Sequence, residues 1–182
     1  MHRTLGIFLI FVFLAAAGFA EAPPEFAETK KNADAGNAYA QHNLGLMYNN
    51  GDGVPKDYAE AIKWYRKAAE HGIAQSQHNI GLFYLQGEGV PKDYAETVKW
   101  FRKAAEQGHA QSQANLGVMY YNGNGVPKDL VQAHVWWNIA GANGNEDAKK
   151  NLANVEKEMT SEQKAEAMKL ARELFAKLPK GK

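Results

Sequence analysis

Few side chains in this sequence stand at spacings that chemistry requires. Ser161-Glu162-Gln163-Lys164 has the Ser-x-x-Lys order in which a lysine activates a serine for acyl transfer. Neither Ser-Asp-Asn nor Lys-Thr-Gly follows it, and Thr160 with Gln163 makes the same stretch a helix-capping box. It is read as a helix start, and no catalytic residue is assigned. His42 and His78 occupy matching places, 78 − 42 = 36 residues apart. Two imidazoles on neighbouring units can share a metal ion, and the blander alternative is a polar surface residue copied by duplication. No Cys, no His-Glu-x-x-His and no cluster of carboxylates joins them, so neither a metal nor any other cofactor is assigned. His71 and His109 fall at helix junctions, while His134 replaces Ile62 and Val98 and reads as a partly buried core variant. Asn49-Asn50-Gly51-Asp52-Gly53 lacks the ligand order and the distal Glu of a calcium loop. Its Gly-x-Gly also lacks the preceding strand of a nucleotide-binding loop.

The remaining polar and apolar sets point to recognition rather than reaction. Asn43, Asn79, Asn115 and Asn151 recur one per unit and predict a row of carboxamides, each carrying a donor and an acceptor suited to a peptide amide. The alternative is that each Asn bonds its own neighbouring helix or turn. Leu46, Leu82 and Val118 form an apolar strip in the same register, rimmed by Asn50, Gln86 and Asn122. Such a strip is either a partner surface or a contact between adjacent units. Trp64, Trp100 and Trp136 also recur in register, and helical spacing assigns them to the core rather than to a glycan platform.

What positions these sets is a repeat. Gly51-Asp52-Gly53-Val54-Pro55-Lys56-Asp57 returns with small changes at 87–93 and 123–129, each copy 36 residues after the last. A fixed period of this length marks stacked supersecondary units. Three full repeats follow from it, 37–72, 73–108 and 109–144. The first two agree at 24 of 36 positions, so the positions kept in the third copy too are the better witnesses to a physical requirement. Within a repeat, Ala40, Leu44, Met47 and Tyr48 share one helical face. Gly45, Gly81 and Gly117 interrupt that helix at a cost of roughly 1 kcal/mol each, which predicts a second helix passing too close for a side chain. The Gly-x-Gly-Val-Pro turn follows. Asp57, Asp93 and Asp129 then cap a second helix, with Glu60, Glu96 and Gln132 in capping-box position. Tyr58, Ala61, Ile62, Tyr65, Ala68 and Ala69 give that helix an apolar stripe, and Gly72, Gly108 and Gly144 end it. A helix pair with faces this wide must stack on its neighbours. The fold class is therefore all-α, a right-handed α-solenoid of helix-turn-helix units whose first helices line the inner, concave face.

The flanks close the array. Residues 21–36 are a linker and an N-terminal half-repeat. Residues 145–182 are C-terminal capping helices and a tail, with Ala165, Met168, Leu170, Ala171, Leu174, Phe175 and Leu178 expected to turn inward. Residues 1–20 have the layout of a secretory signal peptide: Arg3, then an apolar run of 15 residues from Leu5 to Phe19, then small residues. The run is short of the ~20 residues of a membrane-spanning helix. Cleavage after Ala20 or Ala22 is expected, with an uncleaved anchor as the alternative. The 182-residue chain has 21 Lys and Arg against 20 Asp and Glu, and losing Arg3 with the signal leaves 20 − 20 = 0. That balance excludes an electrostatic nucleic-acid or anionic-membrane binder. With no Cys, no disulfide contributes to stability.

The repeat resembles the Sel1-like repeat, a relative of the tetratricopeptide repeat. The carrying residues are Ala40, Leu44, Gly45 and Tyr48, then Gly51, Gly53, Val54 and Asp57, then Ala61, Trp64, Ala68, Ala69 and Gly72. Leu130 and Gly141 in the third copy depart from the pattern. The resemblance implies a binding scaffold that holds a protein or peptide on its concave face without catalysis. One cysteine-rich secreted branch of the family is linked with penicillin binding and weak β-lactamase activity, and the absence of Cys places this chain outside it. The expectation is a monomeric, periplasmic or secreted adaptor of the bacterial cell envelope, with no nucleic acid and no membrane partner beyond the signal peptide. The alternatives are a cell-envelope enzyme acting on β-lactams or cell-wall material, and an envelope assembly factor.

Overall fold

The computed structural model describes residues 23–179; the signal-peptide reading of residues 1–20 lies outside them. Among the described residues there are nine helices: α1 (Pro24–Asp34), α2 (Ala38–Asn50), α3 (Tyr58–Glu70), α4 (Ala74–Gln86), α5 (Tyr94–Glu106), α6 (Ala110–Asn122), α7 (Leu130–Ala142), α8 (Glu146–Val155) and α9 (Ser161–Lys177). Each helix from α1 to α7 packs on its successor in the chain, α9 packs on α7, and α6 also touches α8. That nearest-neighbour pattern defines an α-solenoid. Helices α2, α4, α6 and α8 are the first helices of their units, and α3, α5 and α7 the second. Helix α1 stands where the second helix of a preceding unit would, and α9 closes the other end.

The expected caps form. Asp57 accepts from the Ala59 and Glu60 amides, Asp93 from those of Ala95 and Glu96, and Asp129 from that of Gln132. The reciprocal half of the box is absent, because Glu60 and Glu96 turn to Lys63 and Lys99 instead. Their own amide partner is not needed: the Asp57 and Asp93 amides donate to the Tyr48 and Tyr84 carbonyls. The complete capping box is at Thr160 and Gln163. Ser161 is thus the first residue of α9, and it is exposed.

The glycines divide into two kinds of close contact. A Cβ on Gly45 would meet the Tyr65 ring at 2.7 Å, one on Gly81 the Phe101 ring at 2.5 Å, and one on Gly117 the Trp137 indole at 2.5 Å. The expected crowding is present, but its source is an aromatic ring from the same repeat's second helix rather than another backbone. Backbone approach occurs at the turn. A Cβ on Gly89 would sit 2.6 Å from Tyr58 Cβ and 3.1 Å from its carbonyl carbon. One on Gly125 would collide with the Tyr94 carbonyl. In the second and third repeats the second glycine of Gly-x-Gly therefore lets the turn rest on the start of the preceding repeat's second helix, while Gly53 meets the Pro23 and Phe26 side chains at α1.

A buried glutamine ladder ties the units. Gln41, Gln77 and Gln113 donate through Nε2 to the carbonyls of Ala33, Ala69 and Ala105, at 3.3, 3.2 and 3.0 Å. Each carbonyl lies near the end of the preceding unit's second helix, where it also accepts from the amide of the closing glycine, Gly36, Gly72 or Gly108. Gln77 Oε1 in turn accepts from Gln107, and Gln113 Oε1 from Asn143. The matching residue for Gln41 is His71, and Gln41 Oε1 is buried without a partner.

The end cap departs from expectation. Ala167 and Ala171 are the buried residues of α9, and Leu170, Leu174 and Leu178 pack partly against the core. Ala165 is exposed, as are Met168 (47 %) and Phe175 (39 %). Small residues face α7, with the three leucines at the margin of the contact, and Met168 and Phe175 are left outside.

Candidate functional site

The first helices present two cavities. The larger, of about 450 Å³, opens between α2 and α4 and is lined by Leu46, Asn49, Asn50, Asn79, Leu82 and Gln86. Tyr58, Tyr65 and Phe83 close it from below, and Lys56 and Glu88 stand on its wall. The second, of about 310 Å³, lies between α6 and α8 and is lined by Val118, Tyr121, Asn122, Trp137, Asn151, Asn154 and Val155. Of the residues singled out from sequence, Leu46, Asn50, Asn79, Leu82 and Gln86 come together in the first cavity. Val118 and Asn122 belong to the second. Asn43 is exposed and Asn115 half-buried, and neither is in the lining of these two cavities.

The asparagine row is not uniform. Asn79 and Asn115 each accept from the glutamine four residues earlier, Gln75 at 3.3 Å and Gln111 at 3.2 Å. Burial pushes the Tyr65 phenol's pKa up to about 12, against a smaller opposing pull from the Asn79 side chain. Tyr65 therefore stays a neutral phenol on the cavity floor. In the second cavity Trp137 takes its place and donates Nε1–H to the Ala114 carbonyl at 3.0 Å. Tyr121 donates to Glu158 at 2.6 Å, a bond that raises the phenol's pKa.

The histidines are committed to structure between repeats. His42 bonds the Ser76 hydroxyl at 2.8 Å, and its copy His78 bonds the Ser112 hydroxyl at 2.8 Å. Each imidazole thus turns to a serine of the following repeat rather than toward its copy. At the second joint His109 joins the network. The Ser112 amide donates to His109 Nδ1 at 3.2 Å, so that nitrogen carries no proton. It also accepts from the Ser112 hydroxyl at 2.9 Å. The hydroxyl, having given its proton there, accepts from His78 Nδ1–H, and His109 Nε2–H donates to Gln75 Oε1 at 2.9 Å. The His109 ring is consequently neutral. Burial lowers the His78 pKa to about 4, with the neighbouring His109 adding to the shift, and burial lowers that of His109 as well. His134 is fully buried, more deeply than expected, with Nε2 3.1 Å from Glu156. Among the described residues no group of three or more His, Asp or Glu side chains is placed to hold a metal ion.

Stacked helical hairpins with cavities between successive first helices make this chain a helical-repeat scaffold. It belongs to the Sel1 repeat family, whose model matches residues 38–73, 74–109 and 110–145. Among solved structures it is similar to c5321, described as a protective antigen present in uropathogenic Escherichia coli strains and displaying an SLR fold. The TM-score is 0.78 at 39 % identity, over 84 % of this chain and 33 % of that one, so this chain spans about a third of that protein's length. It is also similar to a Sel1 repeat protein from Oxalobacter formigenes, with TM-score 0.67 and 42 % identity over 71 % of this chain and 98 % of that one. Helicobacter pylori cysteine rich protein B shares the fold at 23 % identity, with TM-score 0.59 over 70 % of this chain and 95 % of that one. Comparison with curated proteins gives no match. The right-handed α-solenoid expected from the period is thus the fold of the chain.

Proposed function

We propose that this chain is an exported, non-catalytic scaffold that holds a protein or peptide partner on the concave face formed by its first helices. Sel1 repeats commonly serve protein interaction, and that is the family setting of the proposal. The observation that carries it is the first cavity, where Leu46 and Leu82 stand beside the Asn50, Asn79 and Gln86 carboxamides over an aromatic floor. Apolar surface with a few placed donors and acceptors suits a polypeptide ligand. Export to the periplasm or beyond rests on the apolar run and small residues of positions 1–20. No helix among the described residues is long and apolar enough to cross a membrane. The unit acts as a monomer in this reading.

The test is capture from a cell-envelope extract on immobilised mature protein, with partners identified by mass spectrometry. Leu46→Glu with Leu82→Glu, shown by circular dichroism to keep the parent helicity and Tm, is expected to weaken the main partner by at least about tenfold, a change of 1.4 kcal/mol. A partner held equally by parent and variant overturns the groove assignment. The same spectra report the mature N-terminus, and an intact Met1 in envelope-derived protein overturns export by a cleaved signal.

A further inference from the structure

Resting on that reading, we infer that the partner is an extended, uncharged polypeptide segment gripped at two points, with one apolar side chain in each cavity and a bridging stretch between them. The two cavities are copies of one another. Every lining residue of the second stands 72 residues after a lining residue of the first: Val118 after Leu46, Trp137 after Tyr65, Asn151 after Asn79, and so on for the remainder. They are therefore the same site, two repeats apart. The copy between them is built differently. Its equivalent of Asn49 and Tyr121 is Leu85, which packs with Leu82 on the core around Phe101 and Met119. At the middle register this leucine packs on the core, whereas its equivalents Asn49 and Tyr121 line the two cavities.

The chemistry of the linings identifies the ligand class. Each cavity carries three asparagines, Asn49, Asn50 and Asn79 in one and Asn122, Asn151 and Asn154 in the other. A carboxamide offers a donor and an acceptor side by side, the complement of a peptide bond. The second cavity's lining holds no charged side chain. In the first, Lys56 and Glu88 oppose one another, and Lys56 lies 4.5 Å from the centre of the Tyr58 ring. A charged ligand group would be desolvated without an unmatched counter-charge. The aromatic floors argue against a sugar. A stacking platform needs an open ring face, whereas Tyr65 and Trp137 are buried with their rings against Gly45 and Gly117. An array that translates by repeats presents its sites in line, which suits an extended chain. With packed helices about 10 Å apart, first helices two repeats apart are separated by roughly 20 Å, or about six residues at ~3.3 Å each.

A random peptide library displayed on phage and selected on the mature protein tests this. Enriched peptides are expected to carry two apolar residues about six positions apart with no net charge between them. Asn50→Glu and Asn122→Glu change exposed residues, one at each cavity, and are expected to leave the fold intact. Each is expected to weaken an enriched synthetic peptide by about tenfold or more in a fluorescence anisotropy titration, and cutting the peptide between its anchors by at least about a hundredfold. Peptides weakened by Asn50→Glu but indifferent to Asn122→Glu overturn the two-point grip and leave the proposed function standing. Peptides indifferent to both overturn the proposed groove itself. Enrichment of charged peptides, failure to enrich any, or displacement of an enriched peptide by a cell-wall glycan fragment each overturns the inference.

Discussion

The joint between the first and second repeats and the joint between the second and third use the same positions with different content. At the first, His42 reaches the Ser76 hydroxyl and is half-buried. The preceding cap position holds Ile73, which offers α4 no side-chain bond. At the second, that position is His109, which caps α6 and, with His78, brackets the Ser112 hydroxyl. The two rings lie 4.8 Å apart. His109 in place of Ile73, with Gln75 in place of Tyr39 to receive it, makes a network of two imidazoles out of what is a simple polar contact at the first joint. A solenoid can thus keep one packing geometry while giving each joint its own response to acid.

That contrast breaks most easily with pH. An unfolded histidine protonates near 6.5, whereas folded His78 does so near 4. Between those values the unfolded chain binds more protons, so stability falls as pH drops from about 6.5 to about 4. His78 alone contributes a loss on the order of 3 kcal/mol over that window. Of titratable groups only His109 acts on His78, and α5 presents the Phe101 ring. Urea unfolding at pH 7.5 and pH 4.5 measures the loss. His78→Gln, which can still donate to the Ser112 hydroxyl, is expected to remove the His78 share and leave that of His42 and His109, whose pKa values burial also lowers. An equal loss in that variant removes the second joint as the acid-sensitive one.

Serine truncation sharpens the comparison at neutral pH. Ser112→Ala leaves a buried His78 N–H without its acceptor and is expected to cost about 2 kcal/mol. Ser76→Ala affects a half-buried ring that water can reach, and about 1 kcal/mol or less is expected. Equal costs would mean that the extra histidine adds nothing to the second joint. The smallest effect is expected from Ile73→His, which copies the His109 position into the first joint. Neutral stability should change by less than about 1 kcal/mol, while the acid-induced loss grows. Gln75 has no counterpart there, since Tyr39 occupies its place, so the copied histidine lacks one hydrogen bond and the growth should be smaller than the His78 contribution.

The fold was legible in the sequence because its signals repeat. Three capped second helices, three Gly-x-Gly turns and the closing glycines each appear at one period, and all take the expected place. Contact partners were less legible. Gly45 shows that space is scarce but not that a ring fills it. Two polar rows recur with equal regularity, and the asparagines drew attention as candidate ligand contacts. The glutamines carry the inter-repeat bonds, and a signal for them existed: Gln41 precedes Leu44 and Gly45 by three and four residues and so shares their buried face. The cavities were readable residue by residue at Leu46, Asn50, Asn79 and Leu82. Their inequality was not, because it depends on Leu85 folding onto the core. In α9 apolar residues cover more than half the circumference, so periodicity alone could not choose between Ala167 with Ala171 and Met168 with Phe175.

The turn glycines have one more consequence. Where Gly89 and Gly125 rest on the preceding helix start, main chain meets main chain, and the step from unit to unit owes little to which side chains surround it. A cassette inserted at that seam would inherit the same stride. Lengthening by duplication would then lengthen the array in whole increments.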